Sequence, residues 1–173
     1  MATKDSNINT EIKMFNFLWR WSEEFQEFGN KFYQYHKRLL LKGEIQISTM
    51  VENVMAFNSQ GLYIKDSSDG RDFSDGSDAK TCTVINNGSE KGGARFTGRV
   101  AGIGAKEGTL RVLCYNKFLD KFYFFKIPYT AYKHLTHARY GSIDIGFNIE
   151  TKEISEKGKW YEYQVASFDE LCK

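Results

Sequence analysis

Apolar residues in the first quarter of the chain recur at helical spacing. Phe15, Leu18, Trp19, Phe25, Phe28, Phe32 and Tyr35 fall at intervals of three, four and seven, which predicts helix over 11–42, with Gly29 placed to break it into two pieces. Eight aromatics (Phe15, Phe17, Trp19, Trp21, Phe25, Phe28, Phe32 and Tyr33) crowd into nineteen residues. Such density suits packing on a core or burial of a dimer seam; the alternative is a stacking platform for bases. After Gly43, the residues Ile47, Met50, Val51, Val54 and Met55 form an i, i+3, i+4, i+7, i+8 stripe, so 44–57 is expected as a second helix with Glu44 and Glu52 off the stripe.

From residue 61 the period shortens to two. A short strand is expected at 61–64, then a polar Gly- and Asp-rich segment from Asp66 to Ser77, then a strand at 80–85 (KTCTVI) that ends in an Asn86-Asn87-Gly88 turn. Residues 95–103 are expected to form a strand interrupted by Gly98 and Gly102. TLRVLCY (109–115) and KFYFFKI (121–127) predict a β-hairpin, which Pro128 terminates. A short helix is expected at 129–135, edge strands at 142–149 and 160–165, and a capped helical turn from Ser167. Helices followed by a run of strands make an α+β pattern. Residues 1–42 are expected as an N-terminal helical extension and 43–173 as the main domain.

Length and composition narrow the field. A chain of 173 residues, 41 % hydrophobic and 27 % charged, has enough apolar side chain for a packed domain, which excludes wholesale disorder. No window approaches a membrane span, and the polar amino terminus lacks a signal-peptide core, so a cytoplasmic protein with no membrane partner is expected. Cys82, Cys114 and Cys172 are odd in number and far apart, and are read as reduced thiols. The net charge of +2 hides a division: residues 61–80 hold five aspartates against Lys65, Arg71 and Lys80, whereas residues 91–139 hold ten Lys and Arg against Glu107 and Asp120. Acidic groups can hold a divalent cation, and a basic stretch can hold a polyanion. Arg95, Arg99, Lys106, Arg111, Lys117, Lys121, Lys126, Lys133 and Arg139 are therefore candidate phosphate contacts, with Asn86, Asn87, Asn116, His134 and His137 as hydrogen-bonding candidates.

The aspartate segment carries the most chemistry. Asp66, Asp69, Asp72, Asp75 and Asp78 lie within thirteen positions, in a near repeat SDGRDF–SDGSDA. Packed together without counterions they would repel one another. An EF-hand is excluded, because counting back from Gly70 or Gly76 puts Lys65 or Arg71 at the first ligand position. A looser calcium site and a solvated loop remain as alternatives to a nuclease-type metal site. In the last, Asp78-Ala79-Lys80 is acid-x-Lys at the start of a strand, where alternation puts Asp78 and Lys80 on one face. A hairpin would bring Asp69, Asp72 or Asp75 beside Asp78. Two carboxylates would then hold Mg²⁺, and the lysine would orient the attacking water.

These residues resemble the PD-(D/E)xK nuclease superfamily, whose core is a helix, a three-stranded meander, a helix and a further strand. Asp78-x-Lys80 matches the (D/E)xK half, and Glu52 matches the acidic residue that some members carry on the preceding helix. No Pro-Asp pair precedes them, and an aspartate six to nine residues upstream is at the short end for this core. The wording DGRDFSDGSDAK, then GTLRVLCYNKFLDKFYFFKIP and WYEYQVASFDEL, is similar to small phage-encoded restriction-like and homing-type endonucleases over about residues 43–171. The resemblance implies a restriction-endonuclease-like core and an endonuclease acting on double-stranded DNA in the host cytoplasm. It implies metal ligands among Glu52, Asp69, Asp72, Asp75 and Asp78, with Mg²⁺ as the ion and Mn²⁺ able to replace it. A homodimer, seamed by the aromatic N-terminal helix, is expected because two antiparallel strands need two sites.

Overall fold

The computed structural model describes residues 4–27, 29–59, 71–88, 94–103, 107–135 and 141–173. The strand expected at 61–64 and the site residues Asp69, Lys106 and Arg139, with His137, lie outside them, as do Asp66 and Phe28.

The amino-terminal helical region is three helices rather than two: α1 (Lys4–Trp21), α2 (Glu23–Glu27) and α3 (Gly29–Lys42). The unexpected break is at Ser22, whose hydroxyl accepts the Phe25 amide at 3.4 Å and so caps α2. α3 ends in a Schellman motif. Gly43 sits at φ +74°, its amide reaches Leu40 O and the Glu44 amide reaches Leu39 O, both at 2.9 Å. α4 (Ile47–Asn58) follows, and its five stripe residues are all buried.

Among the described residues six strands follow: β1 (Asp78–Gly88), β2 (Ala94–Ala101), β3 (Leu110–Asn116), β4 (Lys121–Ile127), β5 (Ser142–Phe147) and β6 (Gln164–Val165). They form one sheet in the order β5-β2-β1-β3-β4-β6, with β1 and β3 parallel and the other pairs antiparallel. The fold is therefore α+β with a mixed sheet. β2 runs straight through Gly98 and stops before Gly102, which has φ +67°. The helix expected at 129–135 is α5 (Tyr129–Tyr132) followed by a 3-10 turn at Lys133–Leu135. The strand expected at 160–165 is mostly a 3-10 turn, Tyr161–Tyr163, leaving only the two residues of β6. α6 (Phe168–Cys172) is capped by Ser167, whose hydroxyl accepts the Glu170 amide at 3.2 Å.

Each face of the sheet carries a core. On one, Met14, Phe15, Leu18 and Trp19 of α1, Leu40 of α3 and the α4 stripe pack on Ala79, Leu113, Tyr115 and α6. The amino-terminal helices thus share this core with the sheet. The aromatic side chains expected at a dimer seam are engaged within the chain: Phe17 stacks on Phe122 at 4.2 Å and Trp19 on Phe25 at 5.2 Å. On the other face, Cys82, Val84, Val112, Cys114, Tyr132 and Trp160 pack with β2 and β5.

The sheet forks along β1. β2 accompanies β1 only over Val84–Gly88, whereas from Phe96 to Ala101 it pairs with β5. The glycine at position 98 permits this divergence: a Cβ there would lie 2.9 Å from Cys114 Sγ and 3.2 Å from Cys82 Sγ. Among the described residues, the strand partner of Asp78–Thr83 is β3 alone. The other edge of the first half of β1 is therefore one that no described strand covers.

Candidate active site

That edge begins at Asp78. In the parallel register Asp78 pairs with Leu110, Lys80 with Val112 and Cys82 with Cys114, and paired positions share a face. Leu110, Val112 and Cys114 belong to the core away from α4, so Asp78 and Lys80 project together on that side, as alternation requires. Asp78 is 1 % exposed. Lys80 Nζ lies 2.5 Å from Asp78 Oδ2 and keeps 19 % of its side chain accessible, so a buried carboxylate is linked to solvent through an amine.

The turn before β1 supplies the second carboxylate. Phe73, fully buried in the α4-side core, anchors this turn, and its amide reaches Ser77 O at 3.1 Å. Gly76 adopts φ +80° to bring the chain round. Asp72 Oδ2 accepts the Ala79 amide at 2.8 Å, the hydrogen bond a neighbouring strand would otherwise provide. Asp72 is thereby placed against Asp78. Burial first, and then the charge of Asp78, raise the Asp72 pKa above the usual carboxylate range, against the opposing pull of the Ala79 amide and Lys80. Two carboxylates and one amine thus converge at the start of β1, along the edge that no described strand covers.

Tyr132 and residues 108–109 complete the surroundings. The Tyr132 hydroxyl donates to Gly108 O at 2.5 Å, and the Asp78 amide donates to Thr109 O at 2.9 Å. Burial raises the Tyr132 pKa; the Gly108 hydrogen bond opposes this and the nearby Asp78 charge adds to it. Gly108 crosses the aspartate turn so closely that a Cβ there would meet Gly76 O at 1.9 Å. Only glycine allows that crossing.

The other aspartate of the turn has a different task. Asp75 Oδ1 accepts the Ser77 amide at 2.9 Å and the Ser77 hydroxyl at 2.5 Å, while Asp75 Oδ2 accepts Arg111 Nη2 at 3.0 Å. Burial pushes Asp75 up, but Ser77 and Arg111 outweigh it and hold its carboxyl below the usual range. Arg111, expected to touch phosphate, is instead buried at 3 % exposure. Its Nε donates to Ser77 Oγ at 3.0 Å and its Nη1 to Leu171 O at 2.5 Å. It is a clamp between the aspartate turn and α6. Asp75, expected among the metal ligands, is part of that clamp.

Glu52 is not brought to the pair by its helix. α4 packs on the opposite face of the sheet, and Glu52 lies off its buried stripe. The remaining cationic candidates disperse. Arg95 and Arg99 are exposed on β2, Lys117 is exposed in the β3–β4 turn, and Lys133 is exposed in the 3-10 turn. Lys121 pairs with Glu153 at 3.1 Å. Lys126 is half-buried; burial, then the charge of Arg111, depress its pKa. Asn116 is buried and donates to Lys152 O at 2.7 Å, and Lys159 Nζ lies 2.9 Å from His134 Nε2. Sequence reasoning missed Tyr132, Phe73 and the Arg111 clamp. The Arg111 clamp had one visible signal, an arginine inside the apolar run TLRVLCY.

Among the described residues, no group of three or more His, Cys, Asp and Glu side chains is arranged to hold a metal ion, so the acidic set here is the pair Asp72 and Asp78. No helix among them is long and apolar enough to cross a membrane. No protein-family model, curated protein or solved structure matches the chain.

Proposed function

We propose that the chain is a Mg²⁺-dependent endonuclease that hydrolyses phosphodiester bonds in double-stranded DNA, its sheet serving as a restriction-endonuclease-like core. The observation that carries this reading is the convergence of Asp72, Asp78 and Lys80 at the start of β1, along the edge that no described strand covers. The donor set fits the ion. Mg²⁺ favours oxygen ligands and is commonly held by one or two carboxylates, with waters and substrate phosphate completing its shell. A raised Asp72 pKa beside a second carboxylate is the conflict that a divalent cation relieves. Asp72 and Asp78 would hold the ion, and Mn²⁺ could take its place. Bound there, the metal supplies Lewis-acid polarisation of the phosphoryl group and a more acidic water.

The chain's own residues do the rest. Lys80, the solvent-facing member, orients a water toward phosphorus and offsets negative charge on the phosphoryl oxygens. Asp78 fixes the position of that amine. The Ala79 amide fixes Asp72, and the Tyr132–Gly108 hydrogen bond holds Gly108 across the turn. The test is a supercoiled plasmid incubated with Mg²⁺, with Ca²⁺ and with EDTA. Nicking or linearisation confined to Mg²⁺ (or Mn²⁺), lost by at least about 100-fold in Lys80→Ala and Asp78→Asn while DNA binding persists, supports the reading. A Lys80→Ala chain that cuts as fast as its parent overturns the assignment. A parent chain that binds DNA without cutting in every condition makes the protein a binding module.

A further inference from the structure

α3 presents an outward face that the fold does not use. Tyr33, His36 and Leu40 turn inward: the Tyr33 hydroxyl donates to Asn16 Oδ1 at 2.6 Å, His36 lies 5.8 Å from the Trp19 ring, and Leu40 is buried. Opposite them, at i, i+4, i+7 and i+11, stand Lys31, Tyr35, Arg38 and Lys42, all exposed. No acidic residue occurs between Gly29 and Lys42. Arg38 lies over the Tyr35 ring at 5.7 Å, a cation–π contact between two members of the stripe. Lys42 has an exposed partner in Glu44 at 3.7 Å, a pair that water or another anion exchanges readily.

We infer that this stripe of α3 is a docking surface for the phosphate backbone of double-stranded DNA. The eleven residue steps from Lys31 to Lys42 span about 16 Å, or about five base-pair steps of one strand. Three cations at one- and two-turn intervals along a straight rod match a regularly charged polyanion. An anionic membrane is disfavoured by the arrangement of apolar residues. A surface-seeking helix needs one continuous apolar face, whereas exposed Phe32 and Leu41 flank the stripe on opposite sides and the apolar face proper is buried. The choice of duplex DNA rests on the nuclease reading, but the residues are separate from the Asp72–Asp78–Lys80 site.

The experiment measures binding of the full chain to a short labelled duplex in EDTA, by fluorescence anisotropy across a range of KCl concentrations. Each phosphate contact removed should lower the slope of log affinity against log salt by about one. Arg38→Gln should lower it by about one and the triple variant Lys31→Gln/Arg38→Gln/Lys42→Gln by about two to three, with at least about a tenfold loss of affinity. The control is Lys157→Gln with Lys173→Gln, which removes charge elsewhere and should leave the slope near that of the parent. A triple variant that melts like the parent and keeps the parent's slope overturns the proposal. So does one that binds duplex normally but loses binding to phosphatidylserine vesicles, which would make α3 a membrane contact. Should the triple variant fail to fold, Arg38→Gln alone decides by its slope. A chain that binds through α3 but never cuts removes the nuclease and leaves this surface standing. A chain that cuts, with the triple variant binding as the parent does, removes the surface and leaves the nuclease.

Discussion

Replacing Arg111 separates the two roles that an arginine at this position can have. As a phosphate contact it would act on DNA and leave the fold alone. As the clamp seen here, it ties Asp75 and Ser77 to the carbonyl of Leu171 from a buried position. Arg111→Met keeps much of the volume and removes all three hydrogen bonds. Breaking a buried pair by deleting one partner commonly costs about 3–5 kcal/mol. Asp75 retains 40 % of its side-chain exposure and can be rehydrated, which lowers the expected cost to about 2–4 kcal/mol. For a chain of this size that is a fall in melting temperature of roughly 4–16 °C. Arg111→Lys should recover little of it, because a single ammonium cannot reproduce the fork that spans Ser77, Asp75 and Leu171. Asp75→Asn keeps an oxygen for Ser77 and should cost less, about 1 kcal/mol, and the double variant should be milder than the sum. Plasmid cleavage should fall along with stability, since the clamp sets the turn that carries Asp72 to Asp78. The assay is a thermal melt beside a salt titration of duplex binding. An Arg111→Met chain that melts like the parent but binds DNA with a shallower salt dependence would refute the clamp and restore the phosphate contact.

Two further outcomes follow from the same turn. Because Asp72 has a raised pKa in the fold, its contribution to stability is present at low pH and is lost as pH rises through the carboxylate range, the reverse of Asp75, whose lowered pKa favours the fold above the ordinary range. Asp72→Asn should therefore flatten the decline on the alkaline side of that window, leave the melting temperature at neutral pH unchanged or higher, and abolish any Mg²⁺-induced rise; a variant that melts lower at neutral pH and still responds to Mg²⁺ would contradict this. Gly108→Ala should destabilise by about 1–3 kcal/mol or more, because its Cβ would meet the backbone of Gly76 and one of the two segments must shift, and a urea titration would show a lower midpoint.

The sequence showed what depends on local period and missed what depends on long-range pairing. The α4 stripe, the β3–β4 hairpin and the common face of Asp78 and Lys80 follow from spacings of three, four and two, and all are present. The break at Ser22 and the shortening of the 160–165 strand to the two residues of β6 could not be read that way, since a capping hydroxyl and a 3-10 turn leave no trace of period two. The aspartates show the distinction most sharply. They recur every third residue, yet Asp72 and Asp75 belong to opposite faces of the sheet, one meeting Asp78 and Lys80 and the other Arg111. What divides them is the reversal between Phe73, held in the core, and Gly76, held at positive φ. That reversal has its partner thirty-five residues along the chain, in the arginine of β3. A repeat of acidic residues therefore reads as one cluster in sequence but becomes a structural clamp and a close carboxylate pair in the fold. The clamp makes the pair: with Asp75 held by Arg111, the turn is fixed and Asp72 is set against Asp78 and Lys80, the arrangement on which the proposed cation site rests.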